Sequence, residues 1–249
     1  MSESNQNDAV QSRHTDPATI NSLIADLGSK NTRVRIKARQ SLVTIGEPAV
    51  ARLVKALADP KELVRCEAAK ALGQINVAWD SHADSATISA LVTDLGSKDG
   101  LVRVRARLSL VAIGGRTVGH LVKALASKKQ WIRWEAAKTL GQIGDPAAAE
   151  ALVRALEDQM FDVRWLAAEG LVTAGREALV PLLHALLERS DSEWLREGAH
   201  HVLHDLVRGG SELRDVLQPV LAALEDIEPS LEVPVAAETA LNKLIGGDG

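Results

Sequence analysis

The chain repeats itself. Shifting the sequence by 68 positions lays residues 18–75 over residues 86–143 without a gap, and 35 of the 58 aligned pairs are identical. A finer repeat runs inside each block. The segments VRIKARQSLVTIG, VRCEAAKALGQIN, VRVRARLSLVAIG, IRWEAAKTLGQIG and VRWLAAEGLVTAG share one pattern and end at Gly46, Asn76, Gly114, Gly144 and Gly175, spaced 30, 38, 30 and 31 residues apart. The longest spacing holds an insert, VAWDSHAD, between the two blocks. Self-similarity at a period near 30 residues marks an array of small units, none of which can bury its apolar face alone.

Each unit reads as a helical hairpin. Val34, Ala38, Leu42 and Ile45 recur at i, i+4, i+8 and i+11, the stripe of a helix buried along one face, and Ile20, Leu23, Ile24 and Leu27 supply its mate. The glycine or asparagine that ends each segment tolerates the backbone found just past a helix C-terminus. Acid–proline pairs at Asp16-Pro17, Glu47-Pro48 and Asp145-Pro146 place an N-cap before a proline in the first turn, where its missing N–H is not needed. Strand signals are absent from the pattern. The expected array covers residues 16–246, with residues 1–15 as a disordered tail and 208–246 as a diverged C-terminal cap.

The pattern D-P-x-x-x-x-x-L-V-x-A-L…V-R-x-x-A-A-x-x-L-x-x-I-G, clearest at 145–175 and 47–75, resembles HEAT repeats of the short kind first named for the bilin lyases of the phycobilisome. The resemblance implies an all-α, right-handed α-solenoid of about six to seven helical hairpins whose second helices line a concave face. It is specific for fold and weak for function, because one fold hosts many activities. Such repeats also imply that the recurrent arginine at Arg35, Arg65, Arg103, Arg133, Arg164 and Arg196 is structural, a ladder bonding acidic or carbonyl groups of neighbouring hairpins.

Composition narrows the function classes. Hydrophobic residues are 46% and charged residues 25% of the chain, and its net charge is −4, so nothing global attracts nucleic acid or an anionic membrane. A single cysteine, Cys66, forms no internal disulfide and fits a reducing compartment; a polar N-terminus and the lack of a long apolar run complete the expectation of a cytoplasmic protein with no membrane association.

With no tyrosine and one phenylalanine, the five tryptophans stand out. Aligning the second helices gives columns. One holds Ile36, Cys66, Val104, Trp134 and Trp165; another holds Arg33, Leu63, Leu101, Trp131 and Asp162; a third holds Gln40, Lys70, Leu108, Lys138 and Glu169. If these columns face the groove, Trp131, Trp134 and Trp165, flanked by Leu101, Val104 and Leu108, form an apolar contact patch, with Lys138 and Arg105 orienting a partner. The alternative is that the indoles fill space between helices. Trp79 is expected to staple the blocks and Trp194 to pack the cap.

Candidate chemistry is sparse. His200, His201 and His204 are the only histidine cluster; the i, i+4 pair can present two nitrogens to a metal, but no third ligand is evident and none is assigned. The HEAT-repeat iron hydroxylases carry histidine–glutamate dipeptides, and this sequence has none. The glycines sit at helix ends rather than in a phosphate loop. Basic residues Arg33, Lys37, Arg39, Arg105 and Arg107 are interrupted in the groove by Glu67, Glu135 and Glu169, against the continuous basic track nucleic acid needs. The sequence therefore predicts a non-enzymatic scaffold that binds a partner protein or peptide without a cofactor. A bilin lyase-like or tetrapyrrole-chaperone role, with a bilin as ligand, is the first alternative and nucleic-acid binding the second.

Overall fold

The computed structural model describes residues 16–75, 83–209 and 213–246, and every regular element in them is a helix. The expected N-terminal tail, Asn76 and Trp79 lie outside the described residues. The chain divides into two compact units, one up to Thr117 and the other from Val118.

The first unit stacks three hairpins: α1 (Pro17–Asp26) with α2 (Thr32–Ile45), α3 (Glu47–Ala56) with α4 (Glu62–Gln74), and α5 (Ser85–Asp94) with α6 (Gly100–Ile113). The second helices α2, α4 and α6 pack side by side in one layer, and α1 packs on α3 in the other. Leu27, Leu42, Leu53, Leu57, Leu72, Leu95 and Leu110 are shut off from solvent between the layers. Each buried leucine contributes about 1.5–3 kcal/mol, so the apolar stripe rather than helix propensity holds the hairpins.

Helix ends follow the local chemistry. The Asn31 side chain accepts from the Arg33 N–H (3.0 Å) and starts α2; Asp99 accepts from Leu101 (2.8 Å) and starts α6. Gly46, Gly114, Gly144 and Gly175 stop second helices at φ of 66–72°, a region a Cβ disfavours. Of the three acid–proline starts, Asp145 caps as expected, accepting from Ala147 (2.9 Å), whereas Asp16 makes no side-chain cap and Glu47 lies inside α3 behind Gly46. A better cap is Asp84, which accepts from the Thr87 N–H at 2.8 Å and starts α5. That hydrogen bond holds its carboxyl below the ordinary carboxylate range. Its stabilisation is complete above the unfolded pKa of about 3.9 and is lost as pH falls through the lower folded value. Asp84→Ala is accordingly expected to melt earlier than wild type at pH 7, with the two melting temperatures converging in strong acid; a gap independent of pH would contradict the cap.

The second unit begins with α7 (Val118–Leu125) and α8 (Gln130–Ile143), then α9 (Ala149–Ala155) and α10 (Phe161–Ala174), then α11 (Leu179–Glu188) and α12 (Glu193–Gly209). Helices α8, α10 and α12 form the second-helix layer, and α7, α9 and α11 the first. The C-terminal pair, α13 (Arg214–Leu224) and α14 (Pro229–Gly246), breaks the register: α14 packs on α11, a first helix, where the repeat would set it beside α12.

Two stretches, 100–125 and 161–188, are long and apolar enough to cross a membrane by length and composition. Each is interrupted by a positive-φ glycine, Gly114 or Gly175, and a short 3-10 turn, so each is two helices of the repeat.

The glycines correct one expectation. Gly141 and Gly170 lie within α8 and α10 rather than at their ends, and a Cβ added to Gly141 would come 3.3 Å from the Cα of Gly170. The two backbones meet there because neither residue has a side chain.

Candidate functional site on the second-helix layer

The recurrent arginines set the frame. In all six, Nη1 donates to the carbonyl six residues upstream, at 2.7–2.9 Å for Arg35, Arg65, Arg103, Arg133 and Arg164, and Arg196 does the same to Ser190. Those carbonyls follow the first helix of each hairpin, where the helix dipole favours a cation and the last C=O groups lack helical partners. The rungs were expected to tie neighbouring hairpins; instead each first closes its own. Arg65 and Arg133 in addition reach the next hairpin, forking onto Asp94 (2.6 and 2.7 Å) and Asp158 (2.6 and 3.0 Å). These carboxylate bonds hold both guanidiniums still more firmly protonated, against the opposing effect of burial.

With that column pinned, its neighbours turn outward. In the second unit Trp131 is 59% exposed, while Trp134 is half-buried with Lys138 Nζ over its ring at 4.7 Å. Lys138 thus stacks on a ring of its own helix. Trp165 is 47% exposed, with the Phe161 ring centroid at 6.4 Å and the His201 ring at 4.6 Å. Trp194, expected to pack the cap, is instead 43% exposed beside Trp165, and the Arg164 guanidinium lies over its ring at 4.6 Å. Together Phe161, Arg164, Trp165, Trp194, Glu197 and His201 line a cleft of about 320 Å³ between α10 and α12; Trp131 and Trp134 do not line it.

The sequence columns stop one hairpin short of this arrangement. Extending them by the Arg164-to-Arg196 spacing puts Trp194 in the Trp131 column and Glu197 in the Trp165 column. Phe161 had a signal as well, standing four residues before Trp165 on one helix face.

In the first unit Leu101, Val104, Leu108 and Arg105 come together along a second cleft of about 440 Å³, between α4 and α6. Leu101 and Leu108 are largely exposed and Val104 partly so. Cys66 is buried nearby; burial pushes its thiol pKa up, and the hydrogen bond with Arg105 only partly opposes that. A thiol so held is protonated at neutral pH and is a poor nucleophile.

The histidines are engaged with carboxylates. Nε2 of His200 lies 2.9 Å from Glu225, Nε2 of His201 lies 2.9 Å from Glu169, and Nδ1 of His204 lies 3.2 Å from Asp205. Among the described residues no group of three or more histidine, cysteine or acidic side chains is arranged to hold a metal.

An all-helical array of paired helices, with nine of the fourteen large apolar side chains that stand exposed among the described residues on second helices, defines an α-helical repeat protein. The HEAT-repeat model matches residues 20–110 and 88–171, and the chain belongs to the HEAT-repeat family. Over 104 residues it is 34% identical to phycocyanobilin lyase subunit alpha of a Picosynechococcus species, a match covering 41% of this chain and 37% of that protein. The chain therefore spans little more than a third of the length of this relative. Among solved structures it resembles a chain from the complex in which Kap95p binding induces the switch loops of RanGDP to adopt the GTP-bound conformation, with a TM-score of 0.53, 13% identity and coverage of 91% of this chain and 36% of that one. An engineered protein gives a TM-score of 0.44 at 24% identity, covering 77% of this chain and 97% of that one. Likeness at such identities concerns the fold.

Proposed function

We propose that this chain is a non-enzymatic scaffold that holds a partner protein or peptide on its second-helix layer. The observation carrying the reading is the aromatic cleft of α10 and α12. Three of the chain's six aromatic residues, Phe161, Trp165 and Trp194, stand half-exposed around one cavity, and large rings in a preformed hollow are the usual anchors of an interface. Arg164, stacked on Trp194 and tied to the Asp158 carbonyl, keeps the wall rigid before binding, which lowers the entropy lost on association. Trp131 extends the exposed aromatic surface on α8.

The test is capture from host lysate on the immobilised chain, comparing wild type with a Trp165→Ala/Trp194→Ala variant of unchanged circular dichroism. The variant is expected to bind the partner about 30- to 1,000-fold more weakly, two anchor tryptophans contributing roughly 1–2 kcal/mol each. Equal capture by both would remove the aromatic cleft from the interface.

The identity to the phycocyanobilin lyase subunit supports a second reading, a bilin-handling protein. It predicts a coloured complex when the chain is mixed with free phycocyanobilin, whereas the scaffold predicts none.

A further inference from the structure

The cleft between α4 and α6 differs from the aromatic one in both charge and origin. Its opening is visible at a glycine. Gly73 occupies the same place in the first block that Gly141 occupies in the second, yet a Cβ on Gly73 meets nothing within 4 Å, whereas Gly141 abuts Gly170. The space closed between α8 and α10 is thus left free beside α4 and lined on its far side by Leu101, Val104 and Leu108.

Its charge is one-sided. Three of its lining side chains, Arg39, Lys70 and Arg105, are basic and none is acidic. Two carboxylates of this unit are already engaged: Glu67, 6% exposed, accepts from both Arg39 (2.9 Å) and Lys70, and Asp94 is held by Arg65. Glu62 stands exposed on the first turn of α4. Nε of Arg39 is buried without a partner. Counting Arg39 and Arg105, α2 and α6 together carry seven basic residues and no acid, with Arg33 and Lys37 exposed. Cations gathered in a partly enclosed site with an apolar wall attract a ligand that is both anionic and greasy, since the wall lowers the local dielectric and strengthens the attraction.

We infer that the α4–α6 cleft is the docking subsite for an acidic, leucine- or phenylalanine-rich segment of the partner, its carboxylates meeting Lys70 and Arg105 and its apolar side chains lying on Leu101, Val104 and Leu108. This deepens the scaffold reading and rests on it. Charge complementarity selects the occupant: Arg39 and Lys70 share the single carboxylate of Glu67 and Arg105 adds a third cation, so the cleft keeps a net positive charge that repels a basic segment and is answered by an acidic one.

The test uses the full chain and fluorescence anisotropy with three probes: a labelled 12-residue peptide alternating Asp/Glu with Leu/Phe, the same peptide with lysine in place of each acid, and free phycocyanobilin. The acidic peptide is expected to bind, at least tenfold tighter than the lysine peptide, and to weaken about tenfold between 0.05 M and 0.5 M salt. Gly73→Leu, which fills the cleft without touching a charge, and Lys70→Gln/Arg105→Gln are each expected to weaken it tenfold or more. Binding of the lysine peptide at equal strength, or acidic-peptide binding indifferent to Gly73→Leu, overturns the proposal. So does phycocyanobilin binding that Gly73→Leu abolishes while the peptide fails to bind. If the acidic peptide fails but lysate capture still depends on Trp165 and Trp194, this subsite is lost and the scaffold reading stands; if that capture fails as well, both fall.

Discussion

Arg133→Ala is expected to lower the stability of the second unit by about 3 kcal/mol, the scale for removing one partner of a largely buried ion pair. Arg133 forks onto Asp158 and reaches back to the Ser127 carbonyl, so one side chain joins the turn of its own hairpin to the loop of the next. Its removal leaves a carboxylate with a side chain only 10% exposed to satisfy itself with the Met160 N–H and whatever water can enter. Arg133→Lys should recover little, because one ammonium cannot reproduce the two-pronged contact. Arg35→Ala is the control: its guanidinium serves Ser29, Lys30 and Thr32 of its own hairpin, and its loss is expected to cost nearer 1 kcal/mol. Urea unfolding of the full chain checks both. Equal losses for Arg35 and Arg133 would show that the inter-hairpin bonds add nothing.

Gly170→Leu should destabilise by about 3 kcal/mol, at the upper end of overpacking effects. A Cβ there would lie 3.0 Å from a Leu152 methyl and 3.3 Å from the Gly141 Cα, and the backbone side of that contact has no rotamer with which to yield. The informative companion is the duplicated pair. Gly141→Ala is expected to destabilise, whereas Gly73→Ala, with open space around it, should stabilise by up to about 1 kcal/mol through helix propensity and the stiffer unfolded chain. Thermal melts of the two variants giving the same sign would mean that α8 and α10 are not in contact at these glycines.

Much of the fold was legible because it is local. The 3.6-residue period of Val34, Ala38, Leu42 and Ile45, the stop glycines and the cap at Asp145 act within a few residues of themselves. The candidate site was legible only in part. Leu101, Val104, Leu108 and Arg105 did meet in one cleft, and Trp165 lies in another, but Trp134 lies under Lys138 and Trp194 was assigned to the cap. Exposure of a column depends on the helix laid against it about 30 residues away, and a single sequence carries no record of that distance.

By itself, then, the sequence determined an all-helical array of duplicated hairpins and the arginine column that runs through it, since short-range periodicity and backbone stereochemistry dictate both. Only the tertiary structure decided what each repeated residue does. Identical glycines border open space at Gly73 and a neighbouring backbone at Gly141, and equivalent arginines bond within their own hairpin, as Arg35 does, or reach a carboxylate of the next as well, as Arg133 does, because packing between hairpins, not the hairpin, sets the surroundings of each side chain.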